Sequence, residues 1–252
     1  MIQLKNKEQI DGIRKSCKTL AELLYSLDDF IKPGVTTYDI DRYCYDYIKA
    51  KHGIPTCLGY CGYPASTCVS PNEVVIHGIP SKKKILEDGD LVSVDLCITL
   101  DGYVSDSTRT YEVGTVSPEK HKLNVVTKES LDLAIEAASK KNARVQDIGA
   151  AVFKHCTTEN GYGTVRDYTG HGVGLSIHED PEVPNYVSPL MPNPRLKVGM
   201  VIAIEPMINM GTWRIKTLKD GWTVVTADGK CACHWEHTVA ITEGGLEVLT
   251  VL

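Results

Sequence analysis

The run Leu91-Val92-Ser93-Val94-Asp95-Leu96-Cys97-Ile98-Thr99-Leu100 alternates along its length and stops at Asp101-Gly102, a strong short-range hairpin signal. A two-residue turn there pairs Leu100 with Tyr103, and counting back sets Asp106 opposite Cys97. Opposed residues share a face, and Asp95 shares that face with Cys97 through the two-residue period of a strand. One dipeptide therefore commits the chain to an antiparallel ladder with two carboxylates, Asp95 and Asp106, as diagonal neighbours on an apolar strand pair. Two such charges in a dry site repel, and each needs a partner. A bound cation is the simplest one.

The same oddity recurs further on. Glu205 interrupts an apolar strand expected over residues 201–208, and Glu236 lies in another expected over 234–242. One acid of this kind reads as a structural ion pair or a protonated carboxyl. Four of them, with no matching set of basic residues on those strands, read as a metal centre. Hard oxygen donors with few nitrogens suit Mn, Fe(II), Co or Zn in a paired site, and carboxylates bridge two ions. Candidate nitrogen donors are His171 and His178, which flank the glycine-rich stretch Gly172-Val173-Gly174, and His77, in Val75-Ile76-His77-Gly78. The glycines let the backbone turn tightly beside a ligand. Other hydrolytic and phosphate-binding signatures are missing: there is no H-E-x-x-H, no G-x-S-x-G and no glycine loop followed by K-[ST]. None of the nine cysteines stands out as a nucleophile. Their odd, scattered set fits reduced thiols, and Cys231-Ala232-Cys233 reads as strand because no second pair follows at zinc-site spacing.

Helices are expected around this centre. Ile10, Ile13, Cys17, Leu20, Leu24 and Leu27 mark one face of a first helix, ended by Lys32-Pro33-Gly34. A second starts at Thr37 as N-cap, turns Ile40, Tyr43, Tyr47 and Ile48 inward, and takes Gly53 as C-cap. Ser117-Pro118-Glu119 opens a third, and a fourth follows Asp147 through Ile148, Ala151, Val152 and Cys156. A last strand covers residues 246–252. A weak internal repeat aligns Asp39 with Asp147 and Gly53 with Gly161 at an offset of 108, and Gly89 with Gly199 and Asp95 with Glu205 at 110. It implies two similar halves, each bringing helices and a strand-borne acid to a shared centre. No linker separates them, so residues 1–252 are read as a single catalytic domain.

A net charge of −5 supplies no basic surplus for nucleic acid, and Lys82-Lys83-Lys84 reads as a solvated turn. The N-terminal residues have no secretory pattern, and no apolar run approaches the roughly 20 residues of a membrane helix.

Taken together, Asn72-Glu73-Val74-Val75-Ile76-His77-Gly78-Ile79-Pro80, the Asp95 and Asp106 pair, Gly170-His171-Gly172 with His178-Glu179, Ile204-Glu205-Pro206-Met207 and Trp235-Glu236-His237-Thr238 resemble the type I methionine aminopeptidases along the whole chain. The resemblance implies the α/β "pita-bread" fold, an antiparallel sheet backed by helices in two pseudo-symmetric halves. It implies two divalent metal ions on Asp95, Asp106, His171, Glu205 and Glu236, with Asp106 and Glu236 bridging. It gives His77, His178 and Glu205 catalytic roles, and Cys57, Tyr60, Tyr63, Cys68 and Trp222, with both histidines, the substrate. Sulfur and aromatic rings suit a thioether side chain. The implied activity is removal of the initiator methionine from nascent chains whose second residue is small. A cytoplasmic monomer with no DNA or membrane partner is expected, and its substrate would make transient ribosome contact useful. Ile177 replaces an aromatic residue of bacterial members, Cys61 replaces a common histidine, and residues 187–195 carry an unusual three prolines. The compact form lacks the N-terminal zinc-binding extension of eukaryotic cytosolic members. Rival readings within the same fold are an enzyme acting before proline or on creatine, and a binding module that has lost its metals.

Overall fold

The computed structural model describes residues 1–252. Helix α1 spans Lys7–Phe30, and its start is set by a reciprocal cap: Asn6 accepts from the Gln9 amide and Gln9 accepts from the Asn6 amide, both at 2.9 Å. Ile10, Ile13, Cys17, Leu20, Leu24 and Leu27 are all buried on one face. Helix α2 spans Thr37–Ala50, but its cap is Thr36, not Thr37. Thr36 Oγ1 accepts from the Asp39 amide, whereas the Thr37 hydroxyl is occupied by the Ser81 backbone. Gly53 is not the C-cap either: the left-handed residue after the helix is His52, at φ 59°. Gly53 serves packing, since a Cβ there would come within 3.1 Å of Ile48 and 3.2 Å of Ile98.

Helix α3 covers Pro118–Ser139 behind the Ser117 cap, as expected. Helix α4, Val145–Phe153, begins before Asp147 rather than after it. The Asp147 carboxylate reaches back to the Arg144 amide at 2.7 Å, so Asp147 is the third residue of the first turn. The helix then widens into a π turn at Lys154–Glu159. Gly149 lies against another backbone, where a Cβ would meet Pro184 O at 2.4 Å and Tyr186 O at 2.7 Å. Gly149→Ala is therefore expected to destabilise the fold by about 1–3 kcal/mol despite alanine's higher helix propensity. Urea unfolding checks this, and a gain in stability would show that the 184–186 backbone yields freely.

The hairpin forms in the counted register. Leu91–Leu100 pairs with Tyr103–Glu112, matching Leu100 with Tyr103 and Cys97 with Asp106. Asp101 and Gly102 both take left-handed angles, φ 51° and 85°, which is what a tight two-residue connection demands. Cys68–Pro71 and Ile54–Pro55 flank the same sheet, with Cys68 matched to Asp95. The α1 and α2 faces cover this sheet in one core, while α3 and α4 cover a five-stranded sheet in another.

The expected strands at 201–208 and 234–242 are each broken, and the breaks coincide. Val201–Ile204 pairs with His237–Thr242, and Met207–Asn209 pairs with Ala232–His234 in a different sheet. Between them, Glu205-Pro206 lies across from Trp235-Glu236. Pro206 has no amide hydrogen to continue a ladder, so the pair leaves one sheet and enters another at that point. The closing strand is likewise shorter than residues 246–252, ending at Val248.

The repeat has a structural counterpart. Asp39 and Asp147 both close the first turn of a helix by accepting from the residue three before. Gly89 and Gly199 take nearly the same left-handed φ, 90° and 94°, just ahead of the strands that carry Asp95 and lead to Glu205. The Gly53 and Gly161 match does not extend to conformation, because only Gly161 has a positive φ.

Candidate metal centre

The two halves enclose a cavity of about 720 Å³. All twelve site residues expected from the sequence line it: Cys57, Tyr60, Tyr63, Cys68, His77, Asp95, Asp106, His171, His178, Glu205, Trp222 and Glu236. Asp95 and Asp106 come from the hairpin, and Glu205 and Glu236 from the matched strand breaks. The sheets are stitched together beside the acids. Ser107 Oγ donates to Glu236 O at 2.7 Å, Thr108 Oγ1 to Glu236 Oε2 at 2.8 Å, and Thr238 Oγ1 to Asp106 O at 2.7 Å. Asn185, fully buried, holds Glu205 by donating to its carbonyl.

His171 sits on the short strand Gly170–Gly172 and points its Nε2 at two acids, 3.7 Å from Asp106 Oδ2 and 3.5 Å from Glu205 Oε1. Its Nδ1 lies 2.9 Å from Gly172 O, which can only accept. The proton of the neutral ring therefore resides on Nδ1, and Nε2 is left with a free lone pair. The ligand atoms of Asp106, His171 and Glu236 all lie within 4.8 Å of one another, as do those of Asp95, Cys97 and Asp106. Asp106 belongs to both groups.

The apolar side of the cavity is built from thiols and rings. Tyr63 packs edge-on against Trp222 at 5.1 Å, and His77 packs against Tyr168 and Trp222. Tyr63 is fixed by donating to Gly78 O at 3.0 Å. His77 is held at φ 56°, a left-handed angle uncommon for a residue with a side chain and concentrated at functional positions. Tyr60 Oη lies 2.9 Å from His178 Nδ1. Ile177 is buried on the cavity wall, whereas Cys61 is exposed and off it.

Matching of the chain to protein families finds metallopeptidase family M24 over residues 11–243. The chain belongs to metallopeptidase family M24. Among M24 members it is 49% identical over 250 residues to a methionine aminopeptidase of Treponema pallidum, covering 99% of this chain and 96% of the relative. A methionine aminopeptidase of Clostridium acetobutylicum is also 49% identical, over 100% of this chain and 99% of that one. The crystal structure of a methionine aminopeptidase from Thermotoga maritima superposes with a TM-score of 0.95 at 40% identity, covering all of both chains. This M24 chain is a metal-dependent aminopeptidase of pita-bread fold.

The donors of this M24 centre fit divalent ions. Asp95 Oδ1 is buried with no hydrogen-bond partner, and so is His234 Nε2, which lies 3.4 Å from Glu205 Oε2 without the geometry of a bond. Burial pushes the Asp95 and Glu205 carboxyls up to about 7. Burial and then repulsion from the neighbouring acids raise Asp106 and Glu236 as well. Burial lowers His171, His77 and His178, and takes His234 down to about 4, keeping the rings neutral. Four crowded acids beside neutral imidazoles lack only positive charge.

Cys97, Thr108 and His234 were not assigned to the site from the sequence. Cys97 Sγ donates to Asp106 Oδ1 at 3.0 Å, and the hairpin register that set it opposite Asp106 carried that signal. Thr108 stands two residues beyond Asp106 on the same face. His234 precedes Glu236 by two, so the two-residue period of the strand expected over 234–242 carried that signal, and both line the cavity.

Proposed function

We propose that this chain hydrolyses the peptide bond after an N-terminal methionine when the second residue is small, as one catalytic unit over residues 1–252. The observation that carries the reading is the convergence of four carboxylates, Asp106 and Glu236 buried and Asp95 and Glu205 mostly enclosed, and one imidazole Nε2 beside a wall of thiols and aromatic rings. Asp95, Asp106, His171, Glu205 and Glu236 would hold two ions. When bound, such ions polarise the scissile carbonyl and acidify a water so that it attacks near neutral pH.

The protein's own groups do the rest. Glu205 takes the proton of the attacking water and delivers it to the leaving amine. The Tyr60 hydroxyl lies 2.9 Å from His178 Nδ1, and in the tautomer where it donates there His178 carries its proton on Nε2 and donates to the developing oxyanion. His77 holds the substrate amide. Cys57, Tyr60, Tyr63, Cys68 and Trp222 surround the methionine side chain, and Ile177 shapes that wall. We read the chain as a cytoplasmic monomer that meets nascent chains near the ribosome; nine free thiols suit a reducing compartment. No helix is long and apolar enough to cross a membrane.

Turnover of a Met-Ala-Ser peptide by chelator-stripped protein, with Co, Mn, Fe(II) or Zn restored singly, tests the reading. Stripped protein is expected to be inactive, and free methionine to appear on restoring metal. Cleavage of X-Pro peptides in place of Met-Ala-Ser would refute the substrate assignment.

A further inference from the structure

Lys5 is buried, although lysine is almost never buried without a partner. Its side chain is 1% exposed and that of Glu179 is 3% exposed, and Nζ lies 2.5 Å from Glu179 Oε2. The other oxygen of Glu179 accepts from the amides of Leu175 and Ser176, at 2.8 and 3.0 Å. A carboxylate from the start of Glu179–Val183 thus grips the turn that precedes it, and Lys5 grips the carboxylate. Lys5 is itself anchored from the second half of the molecule. Its amide donates to Gly199 O at 2.7 Å, and a Cβ on Gly199 would stand 2.9 Å from Lys5 O.

That turn joins the strand of His171 to Glu179–Val183 and carries Ile177 and His178. The His178 ring packs edge-on at 4.4 Å against the His171 ring and meets Tyr60 on its other side. Its placement therefore depends on the path of residues 173–178. One end of this path is held by Val104, whose amide donates to Gly174 O at 2.8 Å. The other end is held by Glu179.

We propose that Lys5 is a positioning residue of the peptidase reaction, fixing through Glu179 the turn that presents His178 to the cavity. The proposal rests on the function proposed above. Without the ammonium, Glu179 is an uncompensated charge in a dry site and draws the turn toward water. His178 then leaves the position from which it meets the oxyanion and Ile177 moves with it, while the part of the methionine wall formed by residues 57–68 and Trp222 stays in place.

Lys5→Met is expected to lower kcat on Met-Ala-Ser about a hundredfold and to raise KM by less than about tenfold, the KM change coming from the displaced Ile177. Lys5→Arg, which keeps the charge, is expected to recover at least about a tenth of parental kcat. In protein labelled with 15N-histidine, the ring signals of His178 shift in Lys5→Met while those of His121 and His155, far from the turn, do not. This readout stands even if the substrate assignment fails, which an inactive parent protein would show separately. A folded Lys5→Met protein with parental kcat and unmoved His178 signals overturns the proposal, as does a loss confined to thermal stability. If Lys5→Met does not fold, Lys5→Met with Glu179→Gln removes both charges and leaves an oxygen for the turn amides. That pair is expected to recover kcat to within about tenfold of the parent, because the uncompensated charge is gone and the turn amides keep their acceptor, and a persisting hundredfold loss overturns the proposal.

Discussion

Glu205→Gln is expected to lower kcat for methionine release by about a thousandfold, within the range removed with a general acid–base group. The change preserves shape and leaves an oxygen in place, but it abolishes both the negative charge and the capacity to carry a proton. Glu205 faces His171 Nε2 at 3.5 Å and His234 Nε2 at 3.4 Å, so it is central to the donor set and within reach of reacting groups. The fold is expected to survive, because the substitution removes a costly buried charge rather than a packed group. Steady-state kinetics on Met-Ala-Ser with saturating metal check the effect. A variant retaining more than about a tenth of parental kcat would remove Glu205 from the proton relay.

Stripping the metal is expected to reverse the usual dependence of stability on pH. Asp95 and Glu205 hold their protons up to about 7 in the folded protein, against about 4 in an unfolded chain. Between those values these carboxyls bind protons in the folded state that the unfolded state has released, so their contribution falls as the pH rises. Asp106 and Glu236, raised by burial and by their acidic neighbours, act in the same direction. A salt-bridged carboxylate would behave oppositely, losing its contribution as the pH falls. The histidines lowered by burial, His234 and His237 to about 4, act the other way below about 6.5, so the carboxylate loss shows most clearly above that pH. Bound ions supply the missing charge and stabilise further, by about 4 kcal/mol at a thousand times Kd. Calorimetry of chelator-treated and metal-loaded protein at pH 5, 6, 7 and 8 measures both. Parallel melting profiles would show that the carboxylates are balanced by something other than metal.

The positions of Asp95 and Asp106 were readable from the chain alone because their relation is local. Asp101-Gly102 selects the turn, the turn sets the register, and the period of two sets the face. Helix faces were equally readable, since one apolar stripe per helix requires only one buried side. Helix ends were less so. Thr36 and Thr37 are the same residue type, and only the Ser81 backbone decides which hydroxyl is free to cap.

The acids Glu205 and Glu236 were visible as anomalies in apolar runs, but an apolar run says that a segment is buried, not which sheet receives it. Tertiary pairing moved both segments from one sheet to another at Glu205-Pro206 and Trp235-Glu236. The Lys5–Glu179 pair lay beyond sequence reasoning altogether. Its partners are 174 residues apart, and neither residue type is unusual until both are enclosed. Local chemistry thus determined which residues carry charge on which face. The long-range packing of two half-structures decided which of those faces meet, because contacts between distant segments have no signature in either segment alone.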